Sequence, residues 1–334
     1  MPPAAPDRTL SGLVGGCFSI VSGKRNDAEN GGRLGKRDLG RYAYENKMPD
    51  WLYCLLEDEG KQHLEDAPSG ISDVLGKLID QDRDVETAYI CHFAVRYVGK
   101  IKVKGKNEGN NFCGYHNIQM LVSYINAAEV QGSENFANGI PTIWEIQNII
   151  EEAWDHGFNE SGRLQTGGIK GTRKHIGTPE AQALFGSLKI PCKTDRFQDI
   201  KGGAKAYEQL LDSVEYYFSN SITTSHLRTS PRVQNTELPP IYLQRPRHSM
   251  TVVGIEKRKN GSRSLLVFDP AYNPSKEMLK MLNLASATNS DTPSISLIKP
   301  YRRGKRYLKR YQAFETLRLV LQPSLSGQRT NQSS

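Results

Sequence analysis

A thiol at Cys113, an imidazole at His248 and a carboxylate at Asp269 are the residue types of nucleophilic catalysis, and their sequence settings suit that chemistry. Cys113 stands where the polar pair Asn110-Asn111 gives way to an apolar segment in which Ile118, Leu121, Val122 and Ile125 recur at helical spacing. The thiol therefore falls at or just before a first helical turn, where unpaired backbone N–H groups and the helix dipole favour a thiolate. A buried structural cysteine is the competing reading, because free cysteines are among the most buried residues. His248 precedes the apolar run Thr251 to Ile255, and Asp269 ends the next one, Leu265 to Phe268, with the hairpin signal Asn260-Gly261 between them. An antiparallel pair joined by a short turn sets the start of one strand beside the end of the other. His248 and Asp269 are thus expected neighbours, a carboxylate orienting an imidazole. If the N-terminus of the Cys113 helix lies against that edge, His248 can take the thiol proton and later protonate a leaving group. Gln244, four residues before His248, could donate its amide to a developing oxyanion, with the Cys113 backbone N–H as second donor. Its plain reading is an ordinary strand residue.

The elements that must position these groups are legible in part. Residues 1–45, rich in Gly, Pro, Ser, Arg and Asn, read as a disordered or weakly ordered leader. Residues 46–84 read as a helical extension: Trp51, Leu52, Leu55 and Leu56 share one side of a short helix begun near Pro49, and a second helix is expected around Ile71 to Ile79. From Thr87 to Lys104 the pattern is β-rich, in Ala88 to Phe93 and Val95 to Val98, so the main domain is expected over 85–322 with a flexible tail at 323–334. Helices are expected at 142–156, 179–188 and about 203–218, and strands at Ile241 to Gln244, Thr251 to Ile255 and Leu265 to Phe268. A final element containing Tyr311 to Phe314 closes the domain, and the Ser/Thr-rich stretch 219–238 reads as a surface loop. The Gly-rich segment Thr166 to Lys174 lacks the spacing of a phosphate loop and reads instead as a shaped loop near the site.

Composition narrows the function classes. The formal net charge of +8 invites a nucleic-acid reading, yet residues 295–334 alone hold nine Lys or Arg against Glu315, which accounts for the whole excess. That basic segment (Arg302, Arg303, Lys305, Arg306, Lys309, Arg310) could contact an acidic protein or a phosphate backbone, and otherwise reads as a solvated face beside a terminal strand. Five scattered cysteines, at 17, 54, 91, 113 and 192, form no zinc-type pair and no disulfide framework, which favours a reducing compartment, cytoplasmic or nuclear. No cofactor or metal is expected, and no segment approaches the ~20 apolar residues of a membrane span. His116 is one turn past Cys113 and could approach the thiol, but it has no predicted carboxylate partner. His92, His156 and His175 show no metal-ligand spacing.

Taken together, Asn110 to Leu121, Trp154-Asp155-His156-Gly157, Thr166 to Arg173, Tyr242-Leu243-Gln244 through His248-Ser249, and Phe268-Asp269-Pro270 resemble peptidase family C78 over roughly residues 85–320. That family includes the proteases for ubiquitin-fold modifier and the zinc-finger-containing ubiquitin peptidase. The resemblance implies an α/β (α+β) papain-like cysteine protease fold, with a central, mostly antiparallel sheet and a nucleophile-bearing helix. It also implies that the modifier-directed branch places its catalytic histidine directly after an Asp-Pro pair, where this chain has Ala271. The ubiquitin-directed branch has its histidine before the turn, its aspartate after the next strand and a glutamine four residues ahead of the histidine, as in His248, Asp269 and Gln244. The resemblance implies a deubiquitinating cysteine protease with ubiquitin or polyubiquitin as its partner, the alternatives being a protease for ubiquitin-fold modifier and a non-catalytic ubiquitin-binding protein of the same fold. His116 stands where the family usually has arginine, and no Cys/His spacing supports the zinc fingers of the named member.

Overall fold

A computed structural model describes residues 32–58, 60–101, 111–220, 230, 232–284 and 294–320. The helices are α1 (Lys36–Leu39), α2 (Asp50–Asp58), α3 (Gly60–Glu65), α4 (Ile71–Gln81), α5 (Cys113–Ala127), α6 (Ile143–Asp155), α7 (Ser161–Thr166), α8 (Thr178–Ser187), α9 (Ala206–Ser219), α10 (Lys276–Leu284) and α11 (Lys305–Leu308). The strands are β1 (Val85–Ile90), β2 (Cys192–Gln198), β3 (Val233–Asn235), β4 (Ile241–Arg245), β5 (His248–Arg258), β6 (Arg263–Phe268), β7 (Arg302–Gly304) and β8 (Ala313–Leu319). Among the described residues all eight strands join one sheet, ordered β2-β8-β4-β5-β1-β3, with β6 pairing β5 and β7. Every pairing is antiparallel except β1 with β3, so the α/β fold with a mostly antiparallel central sheet is what the chain adopts.

The long strand β5 organises the sheet. It is buried without alternation from Ser249 to Glu256, the pattern of a strand covered on both faces. Both α5 and α9 lie against it. Helix α5 is itself buried from Cys113 to Ile125, so no polar stripe faces water and its position is set by packing all round. Helix α6 begins with a capping box: Glu145 N–H donates to Thr142 Oγ1, and Thr142 N–H donates to the Glu145 carboxylate at 2.6 Å. Its Ile143, Ile146, Ile150 and Trp154 face inward, the stripe read from the sequence.

Several expectations fail for physical reasons. Residues 1–31 of the expected leader lie outside the described residues, but residues 32–45 are ordered. Leu34, Leu39 and Ala43 form a small apolar cluster, Leu34 N–H donates to Gln165 O at 2.7 Å, and Glu45 receives the Arg173 guanidinium and its backbone N–H. The low apolar content of this stretch hid those few anchors. The helices of 46–84 pack onto the main domain: Met48, Leu52, Leu56 and the apolar face of α4 belong to its core. Trp51, placed on the apolar side by periodicity, is 39% exposed, and Leu52 and Leu56 carry the buried face. The Val95 to Val98 run is buried but irregular, and part of the expected surface loop at 219–238 becomes β3 beside β1. The expected tail at 323–334 lies outside the described residues. Arg302 and Arg303 do not form a solvated face: they sit in β7 and meet buried carboxylates.

Candidate active site

The β5–β6 hairpin sets one half of the site. Register pairs Thr251 with Phe268, so the start of β5 lies beside the end of β6, and His248 Nε2 meets Asp269 Oδ1 at 2.7 Å. Both side chains are largely buried, which keeps their interaction out of bulk-water screening. Asp269 is held from three further directions. Ala271 N–H donates to Oδ1 at 3.1 Å, Arg303 Nη2 donates to Oδ2 at 2.8 Å, and Tyr97 Oη donates to its main-chain carbonyl at 2.8 Å. Arg303 and Tyr97 were not singled out from the sequence as parts of the site. Arg303 comes from the basic segment and Tyr97 from an irregular run, and only tertiary structure brings either to Asp269.

With Nε2 engaged by the carboxylate, Nδ1 is the ring nitrogen left for the thiol. Cys113 opens α5 with its first-turn N–H groups unclaimed by any side-chain cap. Burial pushes the Cys113 thiol up, but hydrogen bonds and charge from His248, together with hydrogen bonding to Ser249, bring it down to about 7. The other cysteines show what burial does alone: Cys91 is driven far above the ordinary thiol range and Cys192 is pushed up to about 11. His248 is correspondingly raised to about 9, burial opposing and the Asp269 and Cys113 partners prevailing. Asp269 is lowered to about 2, its burial outweighed by His248 and Arg303. A thiolate facing an imidazolium backed by a carboxylate is the charge distribution of an activated sulfur nucleophile.

Gln244 reaches the same region through sheet register. It pairs with Ser249, so the two side chains share a face, and Thr251 on that face accepts α5 as its neighbour by donating to Asn117 Oδ1 at 2.9 Å. Gln244 Nε2 donates one hydrogen to Arg245 O at 2.9 Å and retains a second, while its Oε1 is buried without a partner.

The Gly-rich loop is fastened by α6. Glu151 Oε1 accepts from Ile169 N–H at 2.5 Å and Lys170 N–H at 3.2 Å, and Gln147 Oε1 accepts from Gly171 N–H at 2.9 Å. Gln147 Nε2 also donates to Tyr115 Oη on α5 at 3.2 Å, tying the loop to the helix that Cys113 opens. Beyond the loop, Ile176 O lies so near Gly114 that a Cβ there would stand 2.6 Å from it. His175 is close enough for the His248 charge to add to burial in lowering it to about 4. His116, by contrast, has Gln119 Oε1 at 2.8 Å on Nδ1 and the His63 ring 6.3 Å away, so its neighbours belong to α3 and α5 and its approach to the thiol is not seen. Among the described residues no group of three or more His, Cys, Asp or Glu could hold a metal ion, and no helix is long and apolar enough to cross a membrane.

A buried low-pKa thiol at the start of a central helix, set against a sheet whose strand ends carry a histidine and its carboxylate, is the layout of a papain-like cysteine peptidase. Within that class the chain belongs to peptidase family C78, whose family model matches residues 85–317. Zinc finger-containing ubiquitin peptidase 1 of Rattus norvegicus is 40% identical over 171 residues, and that of Homo sapiens is 38% identical over the same length. Each alignment covers 51% of this chain, but only 29% of the rat protein and 28% of the human one. A solved structure, the crystal structure of UfSP from C. elegans, aligns with 73% of this chain and 37% of its own, at 14% identity and a TM-score of 0.44.

Proposed function

We propose that this protein is a deubiquitinating cysteine protease that hydrolyses the bond after the C-terminal glycine of ubiquitin, including isopeptide bonds in lysine-linked polyubiquitin. The observation that carries the reading is the His248–Asp269 pair at 2.7 Å, with Ala271 rather than histidine following Asp269-Pro270. This is the arrangement that the resemblance assigns to the ubiquitin-directed branch, and it agrees with the relatives being ubiquitin peptidases by name. Protease activity on ubiquitin-fold modifier is the second reading, and Ala271 counts against it.

In the proposed cycle the Cys113 thiolate attacks the carbonyl carbon of the terminal glycine. The second N–H of the Gln244 amide and the backbone N–H of Cys113 stabilise the oxyanion, and the His248 imidazolium gives its proton to the departing nitrogen. The resulting thioester is attacked by water, whose proton His248 accepts, and collapse returns the thiolate and frees the glycine carboxylate. Asp269 holds the ring orientation and favours its charged form, while Arg303 and the Ala271 N–H fix the carboxylate. No metal or cofactor enters these steps, and a cytoplasmic or nuclear setting belongs to the same proposal.

The test uses ubiquitin and ubiquitin-fold modifier, each bearing an electrophile at its terminal glycine. An adduct with ubiquitin, lost in Cys113→Ala, is the expected result, whereas labelling by the other modifier alone would replace the first reading with the second. His248→Ala should lower turnover of a ubiquitin substrate by roughly 10² to 10⁴-fold, the usual contribution of a positioned acid and base. Retention of full activity would mean that another group does this work.

A further inference from the structure

On the side of His248 occupied by Asp269 and Arg303 lies an open cleft of about 800 Å³ that His248 itself helps to line. Its wall is unusually cationic: Arg245, Arg247, Arg303 and Arg310 surround it, with Tyr307 and Tyr311 between them. Among the described residues that line it the one carboxylate, Asp269, is already shared by His248 and Arg303. Among the described residues, Arg245, Arg247 and Arg310 have no carboxylate partner. Arg245 donates to Tyr307 Oη at 2.8 Å and to Pro246 O at 2.9 Å, and Arg310 donates to Tyr307 O at 3.2 Å. The two rings also hold guanidiniums by cation–π contact, Arg245 lying 4.5 Å from the Tyr311 centroid and Arg310 4.5 Å from that of Tyr307. Restrained guanidiniums lose little further freedom when they take a carboxylate, and their planar forks match its two oxygens.

The position of the cleft indicates what it meets. A leaving nitrogen must touch Nδ1, the imidazole nitrogen not held by Asp269, so the polypeptide released in the first half of the reaction begins beside His248 and can run on past Arg247 into the cleft on the Asp269 side of the ring. We propose that this cleft receives an acidic stretch of that released polypeptide and so makes acidic leaving-side sequences preferred substrates. The proposal rests on the cysteine protease reading given above and adds a substrate class to it. Arg247 heads the β4–β5 turn with a φ of 65°, at the rim of the cleft and next to His248 in the chain, where it can meet residues close to the scissile bond.

The test compares two conjugates in which ubiquitin is joined through its terminal glycine to the lysine of a peptide. The peptides differ only in whether glutamate or glutamine flanks the lysine. The expected result is a kcat/KM about fivefold higher for the glutamate conjugate at low salt, the scale of one or two partly exposed ion pairs. The ratio should fall towards one in molar salt and in the Arg245→Gln, Arg247→Gln, Arg310→Gln triple variant, and Arg247→Glu should shift preference towards a lysine-flanked peptide. In parallel, the fluorescent unconjugated peptides are titrated against the Cys113→Ala full chain, a binding readout that needs no turnover. Tighter binding of the glutamate peptide, lost in the triple variant, supports the proposal even if ubiquitin conjugates are not cleaved, in which case only the ubiquitin reading falls. Equal cleavage of both conjugates overturns the proposal, as does equal binding of both peptides. Selective binding of a single-stranded oligonucleotide that is lost in the triple variant, with no glutamate preference, would reassign the cleft to nucleic acid.

Discussion

The chemistry at residue scale turns on one electrostatic exchange. Cys113 and His248 are both buried, and burial alone would leave both neutral, yet each is held in its charged form by the other. Asp269 tips the balance, and Arg303 keeps Asp269 ionised at the cost of competing for it. The thiol sits near 7 and the imidazole near 9, so kcat/KM should rise as the thiol ionises around pH 7 and fall as the imidazolium loses its proton around pH 9. Asp269→Asn removes the charge that raises His248. The alkaline limb should then move to lower pH and the plateau shrink, with kcat reduced because the ring is also less well oriented. A pH–rate series on a ubiquitin substrate with a small leaving group checks this, and an alkaline limb unmoved by the substitution would mean that Asp269 does not set the His248 charge.

Elements decide whether those residues meet. Gly114 is the second residue of α5, and a methyl group there would stand 2.6 Å from both Ile176 O and Ile176 Cγ1 and 3.1 Å from Tyr242 Oη. Gly114→Ala should push the start of α5 away from the 175–177 segment, costing about 1 to 3 kcal/mol of stability and more than tenfold in activity. Urea denaturation read beside turnover separates the two, and an active, fully stable variant would refute this close-packing account. Helices α5, α6 and α9 were readable because each carries an apolar period, joined in α6 by a cap, and α8 was readable from its Thr178-Pro179 start. The strands β4, β5 and β6 were readable as continuous apolar runs. What was not readable is equally specific. Strand β2, Cys192–Gln198, is polar and half exposed at the sheet edge, β3 has three residues, and β7 is Arg302-Arg303-Gly304. Local composition argued against a strand in each case, and tertiary pairing overrode it. At the site, the nearness of His248 to Asp269 followed from a hairpin. The supports from Arg303 and Tyr97 did not, because no local pattern connects positions so distant in sequence.

For the whole molecule, the decisive feature is that the segment before residue 85 shares one core and one charge network with the peptidase sheet. Asp82, at the end of α4, meets Arg258 of β5 at 3.0 Å and Arg302 of β7 at 2.9 Å. Arg302 also binds the fully buried Glu256 at 2.8 Å. Removing that guanidinium leaves Glu256 without one of its buried partners, so Arg302→Met should destabilise the protein by roughly 3 kcal/mol. The measurement is a shift in denaturant midpoint with an unchanged slope, and a midpoint within error of the parent would show the network to be dispensable. A shortened chain beginning at residue 85 is therefore a poor surrogate for the whole, since it would lose α4 and expose the strands that α4 covers. The hairpin that carries His248 and Asp269 has a further bearing, on the order of assembly. Its two groups lie 21 positions apart and can meet as soon as a local turn closes, whereas Cys113 must be delivered by a helix from a remote part of the chain. Until that delivery the sulfur is an ordinary thiol, mostly protonated at neutral pH. Reactivity is thus conferred by a long-range step of folding, and a copy of this chain in which α5 has not docked against β5 carries no armed nucleophile.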